Sequence, residues 1–110
     1  MQFAEFHAIL KKRSAIEEEW YTEIEKCWEE MTNIFSQDIN KTILFLEICR
    51  ADEFSLLSEV FEDIAQNTHS RDFIAALRKT AKKYPAETQH YNIVDFIESA
   101  ECIVNDKDEA

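Results

Sequence analysis

The sequence of 110 residues contains no glycine and only one proline, Pro85. The absence of glycine excludes glycine-rich phosphate loops and dinucleotide-binding turns, because the backbone approaches a phosphate closely there only where a Cβ is missing. The tight β-hairpin turns that depend on glycine are excluded as well, which disfavours a β-rich fold. A chain without these turns is better suited to helices joined by polar loops.

Basic residues are also scarce. The chain has 12 Lys and Arg against 23 Asp and Glu, which gives a formal net charge of -11. This charge repels a polyphosphate backbone and an anionic lipid surface alike. We therefore expect that the protein binds neither nucleic acid nor a membrane.

Long apolar runs and paired cysteine motifs are missing too. No run approaches the ~20 apolar residues of a membrane-spanning helix, and the segment MQFAEFHAILKKR places its charges after its apolar residues, the reverse of a secretory signal. Cys27, Cys49 and Cys102 lie 22 and 53 residues apart, which fits neither a redox motif nor a zinc site. We expect a cytoplasmic protein with three reduced thiols in its core.

Hydrophobic residues make up 45% of the chain and aromatic residues 12%, a composition that can form a packed core. The length fits one domain, which we expect to span residues 1–104, with residues 105–110 as a frayed acidic tail. Apolar residues recur at helical spacing along the chain. The sequence predicts an all-α fold, a compact single-domain bundle of about five to seven helices.

The first third of the chain permits two interpretations. Ser14 and Glu17 have the spacing of a capping box, which predicts a first helix before Ser14 and a long second helix after it. Alternatively, one continuous helix runs from about residue 3 to residue 34. The spacing of the apolar residues does not separate these two interpretations.

Four further residues are candidate N-caps of later helices: Ser36, Asp52, Ser70 and Asn92. The helix after Asp52 is apolar on two faces, which predicts a central helix from Phe54 to Ile64. The helix after Ser70 should end near Tyr84, because Pro85 disfavours helical geometry before it. The predicted centre of the core consists of Phe54, Leu57, Phe61, Phe73, Leu77, Phe96 and Ile97.

The sequence contains no recognisable catalytic or metal-binding motif. Its three histidines, His7, His69 and His90, form no HExxH motif, and the Glu-x-x-His spacing of Glu87 and His90 occurs once where a di-iron bundle needs two copies. No cysteine has the local histidine or cationic neighbourhood of an activated thiolate. We expect no catalytic residue, no metal, no organic cofactor and no small-molecule substrate.

Acidic residues gather in two rows. Glu18, Glu25 and Glu29 follow one face of the predicted long helix, and Glu59, Glu62 and Asp63 lie on the predicted central helix. Lys26 is the only base between Ser14 and Asn40, and none occurs from Asp52 to Ser70. Rows with so few internal counterions attract a basic partner, so these six carboxylates are the candidate partner-binding residues.

Three large aromatic residues, Trp20, Tyr21 and Trp28, accompany the first row. Their spacing widens the apolar stripe of the predicted helix, which favours a place in the core. An exposed member of this group would instead be an interface anchor.

Residues 45–101 resemble the small helical immunity proteins of bacterial contact-dependent growth inhibition systems. The resemblance rests on Ala51-Asp52-Glu53-Phe54, Leu57-Ser58-Glu59-Val60-Phe61, Ser70 with Phe73-Ile74, Lys83-Tyr84-Pro85 and Tyr91-Asn92-Ile93. It implies a cytoplasmic protein that binds and neutralises the toxin domain of its own system. Such toxins are often nucleases with basic clefts, a partner that the acidic rows fit. The alternative is a helical adaptor or regulatory domain that binds another protein and has no relation to toxins.

Overall fold

The computed structural model describes residues 3–109, with side chains up to Asp106, and this part of the chain is all-helical with no strand. The predicted all-α fold is confirmed. The described residues form eight helices, one more than the upper limit predicted. The helices are α1 (Ala4–Ser14), α2 (Tyr21–Ser36), α3 (Ile39–Ile48), α4 (Ala51–Ser58), α5 (Phe61–Thr68), α6 (Arg71–Lys83), α7 (Pro85–His90) and α8 (Ile93–Glu109).

Two helices were not among the six segments that the sequence marks: α7, which follows Pro85, and α5, which results from a break in the predicted central helix. At Glu59 and Val60 the amides bond to carbonyls three residues back, at Leu56 and Leu57, and the last turn of α4 tightens there. The chain restarts as α5 at Phe61. Two short helices can bury apolar residues in two directions, which explains the two apolar faces of this segment.

The first third of the chain forms two helices separated by a loop of residues 15–20. Ser14 ends α1 and does not begin α2, since its hydroxyl donates to the carbonyl of Lys11. The capping box predicted at Ser14 is therefore wrong. Lys11, Lys12 and Arg13 occupy the last turn of α1, where positive charge stabilises the carbonyl end of a helix.

Of the three candidate N-caps Ser36, Asp52 and Ser70, one caps a helix as predicted and two do not. Ser70 caps α6 as predicted, because its hydroxyl accepts the amide proton of Phe73. Ser36 is the last residue of α2, and Asp38 caps α3 instead by accepting from the Lys41 amide. Asp52 lies in the first turn of α4, whose N-cap position is occupied by Arg50.

Two helix junctions use left-handed backbone conformations without glycine. His69 follows α5 with φ 47°, and Asn92 precedes α8 with φ 54°. Asparagine tolerates this region better than most residues with a side chain. Pro85 stands at the first position of α7, where its missing amide proton costs no hydrogen bond.

The core is rich in phenylalanine, and Phe35, Phe45, Phe54, Phe61 and Phe73 are fully buried in it. Six of the seven residues predicted at its centre are buried as expected. The exception is Phe96, which is 39% exposed. The core-facing side of α8 carries Ile93, Ile97, Ala100 and Val104, and this spacing turns position 96 away from it.

The cysteines and the last helix complete the described chain. Cys27 and Cys49 are buried, and burial raises the pKa of the Cys49 thiol to about 11. Cys102 is exposed, which corrects the expectation of three core thiols. The backbone of α8 continues to Glu109, into the segment where a frayed tail is predicted, and residue 110 lies outside the described residues. None of the helices between residues 3 and 109 combines the length and apolar character of a membrane span.

Phe61 provides a test of this core. Its ring is fully buried and meets the ring of Phe73 edge to face, with centroids 6.2 Å apart. We expect Phe61→Ala to lower the free energy of unfolding by about 3 to 5 kcal/mol, because it removes a buried ring and leaves a cavity. The matched control is Phe96→Ala, which should cost far less. Equal losses for the two variants in denaturant titrations would contradict this placement of α5 and α8.

Candidate partner-binding surface

Helices α2 and α5 form an open groove of about 380 Å³. Three of the predicted partner-binding residues meet in it: Glu25 and Glu29 from α2 and Asp63 from α5. The other lining residues are Tyr21, Trp28, Thr32, Asn33, Gln66 and Asn67. We call this feature the acidic groove. The fold thus brings together carboxylates that lie more than 30 residues apart in the sequence.

The acidic groove contains negative charge without a local counterion. None of its lining residues is lysine or arginine. Glu25, Glu29 and Asp63 are exposed, and no ion pair joins them to another residue in the described part of the chain. Carboxylates in this state keep their full charge available to an approaching cation.

Aromatic side chains border the acidic groove at one end. The ring of Tyr21 meets the half-buried ring of Trp28 edge to face, with centroids 6.0 Å apart. Tyr21 is 59% exposed and Trp20 beside it is 60% exposed, so the expectation that both belong to the core is wrong. The reason is that α2 begins only at Tyr21, which leaves Trp20 in the preceding loop and Tyr21 on its first, outward-facing turn.

Glu59 is engaged inside the protein. Its Oε1 accepts from Arg13 Nε at 2.7 Å and from Trp28 Nε1 at 2.9 Å, and its Oε2 accepts from Arg13 Nη2 at 2.9 Å. Arg13 is only 4% exposed. A carboxylate that already accepts three hydrogen bonds, from the buried Arg13 and the half-buried Trp28, has little capacity left for a binding partner, so Glu59 differs from the other acidic candidates.

The pKa of Arg13 reflects its burial and the carboxylates around it. Burial lowers the pKa of this guanidinium, while the hydrogen bonds and negative charge of Glu59, together with the charge of Glu18, raise it by more. The net direction is upward. Arg13 therefore remains charged, and Glu59 is its main counterion.

A hydrogen bond between a histidine and a glutamate holds α1 against α4. His7 Nδ1 lies 2.5 Å from Oε2 of the buried Glu53, whose Oε1 accepts the amide proton of Arg50. His7 and Glu53 are 46 residues apart in the sequence, the same separation as Arg13 and Glu59. The two pairs therefore fix a parallel register between α1 and the segment that follows residue 50.

The remaining two candidates have different surroundings. Glu18 lies in the loop before α2, so it is not part of a carboxylate row on that helix, and its nearest cation is Arg13 Nη2 at 3.6 Å. Glu62 is exposed in the first turn of α5, next to Asp63. It does not line the acidic groove, although the next residue along the chain, Asp63, does.

Comparison of the chain with protein-family models, with curated proteins and with solved structures finds no match. In the range from residue 3 to residue 109, no three His, Cys, Asp or Glu side chains are grouped so that they could hold a metal ion.

Glu59 and Glu62 form a matched pair for separating structural from surface carboxylates. We expect Glu59→Gln to lower the free energy of unfolding by roughly 3 kcal/mol, because it leaves the buried charge of Arg13 without its counterion. Glu62→Gln should change it by less than about 0.5 kcal/mol, as is usual for an exposed position. Urea titrations of both variants at neutral pH measure the difference. An equally small effect of both substitutions would show that the Arg13 pair is not a structural requirement.

Proposed function

We propose that this chain is an immunity protein that binds a cognate toxin domain and neutralises it by occupying a basic surface on the toxin. The observation that carries the proposal is the acidic groove, in which carboxylates of two helices converge with no lysine or arginine among them. The resemblance of residues 45–101 to immunity proteins of contact-dependent growth inhibition systems supports the same role. The proposal involves binding alone and no catalytic step.

The charge of the groove matches the chemistry of such a target. A nuclease active site must attract a polyphosphate and is therefore lined by lysine and arginine. Glu25, Glu29 and Asp63 would meet those cations in the place of the anionic substrate. Electrostatic attraction of this kind raises association rates and makes them fall with salt.

The aromatic border provides the apolar part of the interface. Tyr21 is large and exposed and lines the groove beside Glu25, and tyrosine is enriched among the residues that dominate binding energy. Trp20, the preceding residue, is equally exposed but lines a separate groove. A lysine or arginine of the partner could lie against the Tyr21 ring while its charge faces Glu25. Cation–π contacts of this kind contribute about 0.5 to 2 kcal/mol.

The proposed contact set differs from the six carboxylates that the sequence suggests. Glu25, Glu29 and Asp63 form its centre, and Glu62 extends it along α5. Glu59 does not line the groove but positions one of its lining residues, because it accepts the hydrogen bond from the indole of Trp28. Glu18 lies outside the acidic groove and is not included.

The test replaces Glu25, Glu29 and Asp63 together by lysine. The control replaces Glu5, Glu98 and Asp106 by lysine, and these three residues are also exposed but lie outside the acidic groove. Glu5 lies in the first turn of α1, as Asp63 does in the first turn of α5, so both triple variants change the net charge and the first turn of one helix in the same way. Circular dichroism first establishes that both variants are folded. Affinity for the toxin domain encoded beside this gene is then measured over a range of salt concentrations, together with protection of cells that produce the toxin.

We expect the groove variant to bind at least about 100-fold more weakly, because three reversed charges each convert an attraction into a repulsion. It should also lose its salt dependence and its protection of cells, while the control keeps both. Full protection by the groove variant, or equal losses in the control, would contradict the assignment of the acidic groove to the toxin.

A further inference from the structure

Helices α3 and α6 form a second groove on the molecule, of about 750 Å³. Its floor and walls are largely apolar, with Ile43 and Leu46 from α3 and Ala75 and Ala76 from α6. We call it the alanine groove. The two small side chains leave space over α6 that a larger residue would fill.

One end of the alanine groove is basic. Lys79, Lys82 and Lys83 line it near the end of α6, against Glu47 at the same end and Asp72 at the opposite end. Lys83 serves the fold, since its Nζ donates to the carbonyl of Glu47 at 3.0 Å and lies over the ring of Tyr84. Lys79 and Lys82 are exposed and have no ion pair with another described residue, in a chain of net charge -11.

The helices on the two sides of the groove end together at this basic end. The hydroxyl of Thr80, near the end of α6, faces the carbonyl of Leu46, and Lys83 reaches that of Glu47, both near the end of α3. The carbonyl ends of two helices therefore lie side by side. Each carries partial negative charge, which favours the N-terminal, positive end of a third helix between them.

These features specify one type of occupant. We propose that the alanine groove binds an amphipathic helix of a partner protein, antiparallel to α3 and α6, with small or unbranched apolar residues facing Ala75 and Ala76 and with Asp or Glu in its first turn. The first-turn carboxylates then meet Lys79 and Lys82. Acidic residues in the first turn stabilise a helix through its dipole. The dipole of the partner helix and the two lysines therefore both favour this orientation of the partner helix.

This surface is separate from the acidic groove, with which it shares no lining residue. The two grooves also differ in charge, and a partner that fits one is repelled by the other.

Two synthetic peptides of about 16 residues, long enough to form helix in isolation, serve as probes. Both are alanine-rich with methionines along one face; one carries three glutamates in its first turn and the other carries three lysines there. Each is titrated into the isotopically labelled full chain, and the perturbed backbone amides are mapped by NMR. We expect the glutamate peptide to perturb amides of α3 and α6 in a saturable manner and the lysine peptide not to do so.

Variants of the chain test the two parts of the site separately. Lys79→Glu combined with Lys82→Glu should weaken binding of the glutamate peptide about tenfold, because two attractions become repulsions. Ala75→Trp should weaken it without any change in charge, since the indole occupies the groove. Lys26→Glu, an exposed lysine on α2, is the control for charge and should leave the affinity unchanged.

Three outcomes would overturn the proposal. The first is the absence of saturable shifts in α3 and α6 with the glutamate peptide. The second is binding that survives both the lysine reversals and Ala75→Trp. The third is that the glutamate peptide does not bind while vesicles of phosphatidylserine bind in a manner that depends on Lys79 and Lys82, which would assign the basic end to a lipid surface.

Discussion

The ion pair between the buried Arg13 and the half-buried Glu59 is the interaction on which the remaining architecture depends. It joins the end of α1 to the junction of α4 and α5, and the indole of Trp28 adds α2 to the same point. A buried guanidinium cannot remain there without its counterion, so three helices must meet at Glu59 whenever the chain is folded. The register of α1 follows, since the pair of His7 and Glu53 repeats the same sequence separation. The hydrogen bond to Glu59 also fixes the position of Trp28, which forms part of the wall of the acidic groove.

The pair also determines which carboxylates remain free. In the described part of the chain, Glu53 and Glu59 are bound to groups on α1, whereas Glu25, Glu29 and Asp63 have no ionic partner and share one groove. Under the proposed function, the acidic residues that stabilise the fold therefore differ from those that bind the partner. Five of the twelve basic residues lie on α6, where Lys79 and Lys82 line a largely apolar groove. A chain of net charge -11 that has unpaired carboxylates in one groove and unpaired lysines in another is suited to binding other proteins.

Local sequence signals predicted the class of the fold and several helix boundaries, among them the cap at Ser70 and the helix end before Pro85. The basic run from Lys11 to Arg13 was a signal for the end of α1 that outweighed the capping pattern at Ser14. The role of Glu59 could not be predicted, because its partner lies 46 residues away and the charge of a glutamate gives no sign of its burial. Position 96 was misplaced for a related reason, since the exact face that α8 presents depends on how α5 and α6 pack against it. The convergence of Glu25, Glu29 and Asp63 could not be predicted either, because it depends on how α2 packs against α5.

The central claim is that the α2–α5 face is the surface on which a basic partner binds. Hydrogen–deuterium exchange of the chain with and without the protein encoded beside its gene, which is the partner that the proposed function expects, tests this directly. The account predicts that binding slows exchange in the first half of α2, around Tyr21 and Glu25, and in α5 around Asp63, with little change in α7 and α8. Protection confined to α7 and α8, with α2 and α5 unchanged, would contradict it.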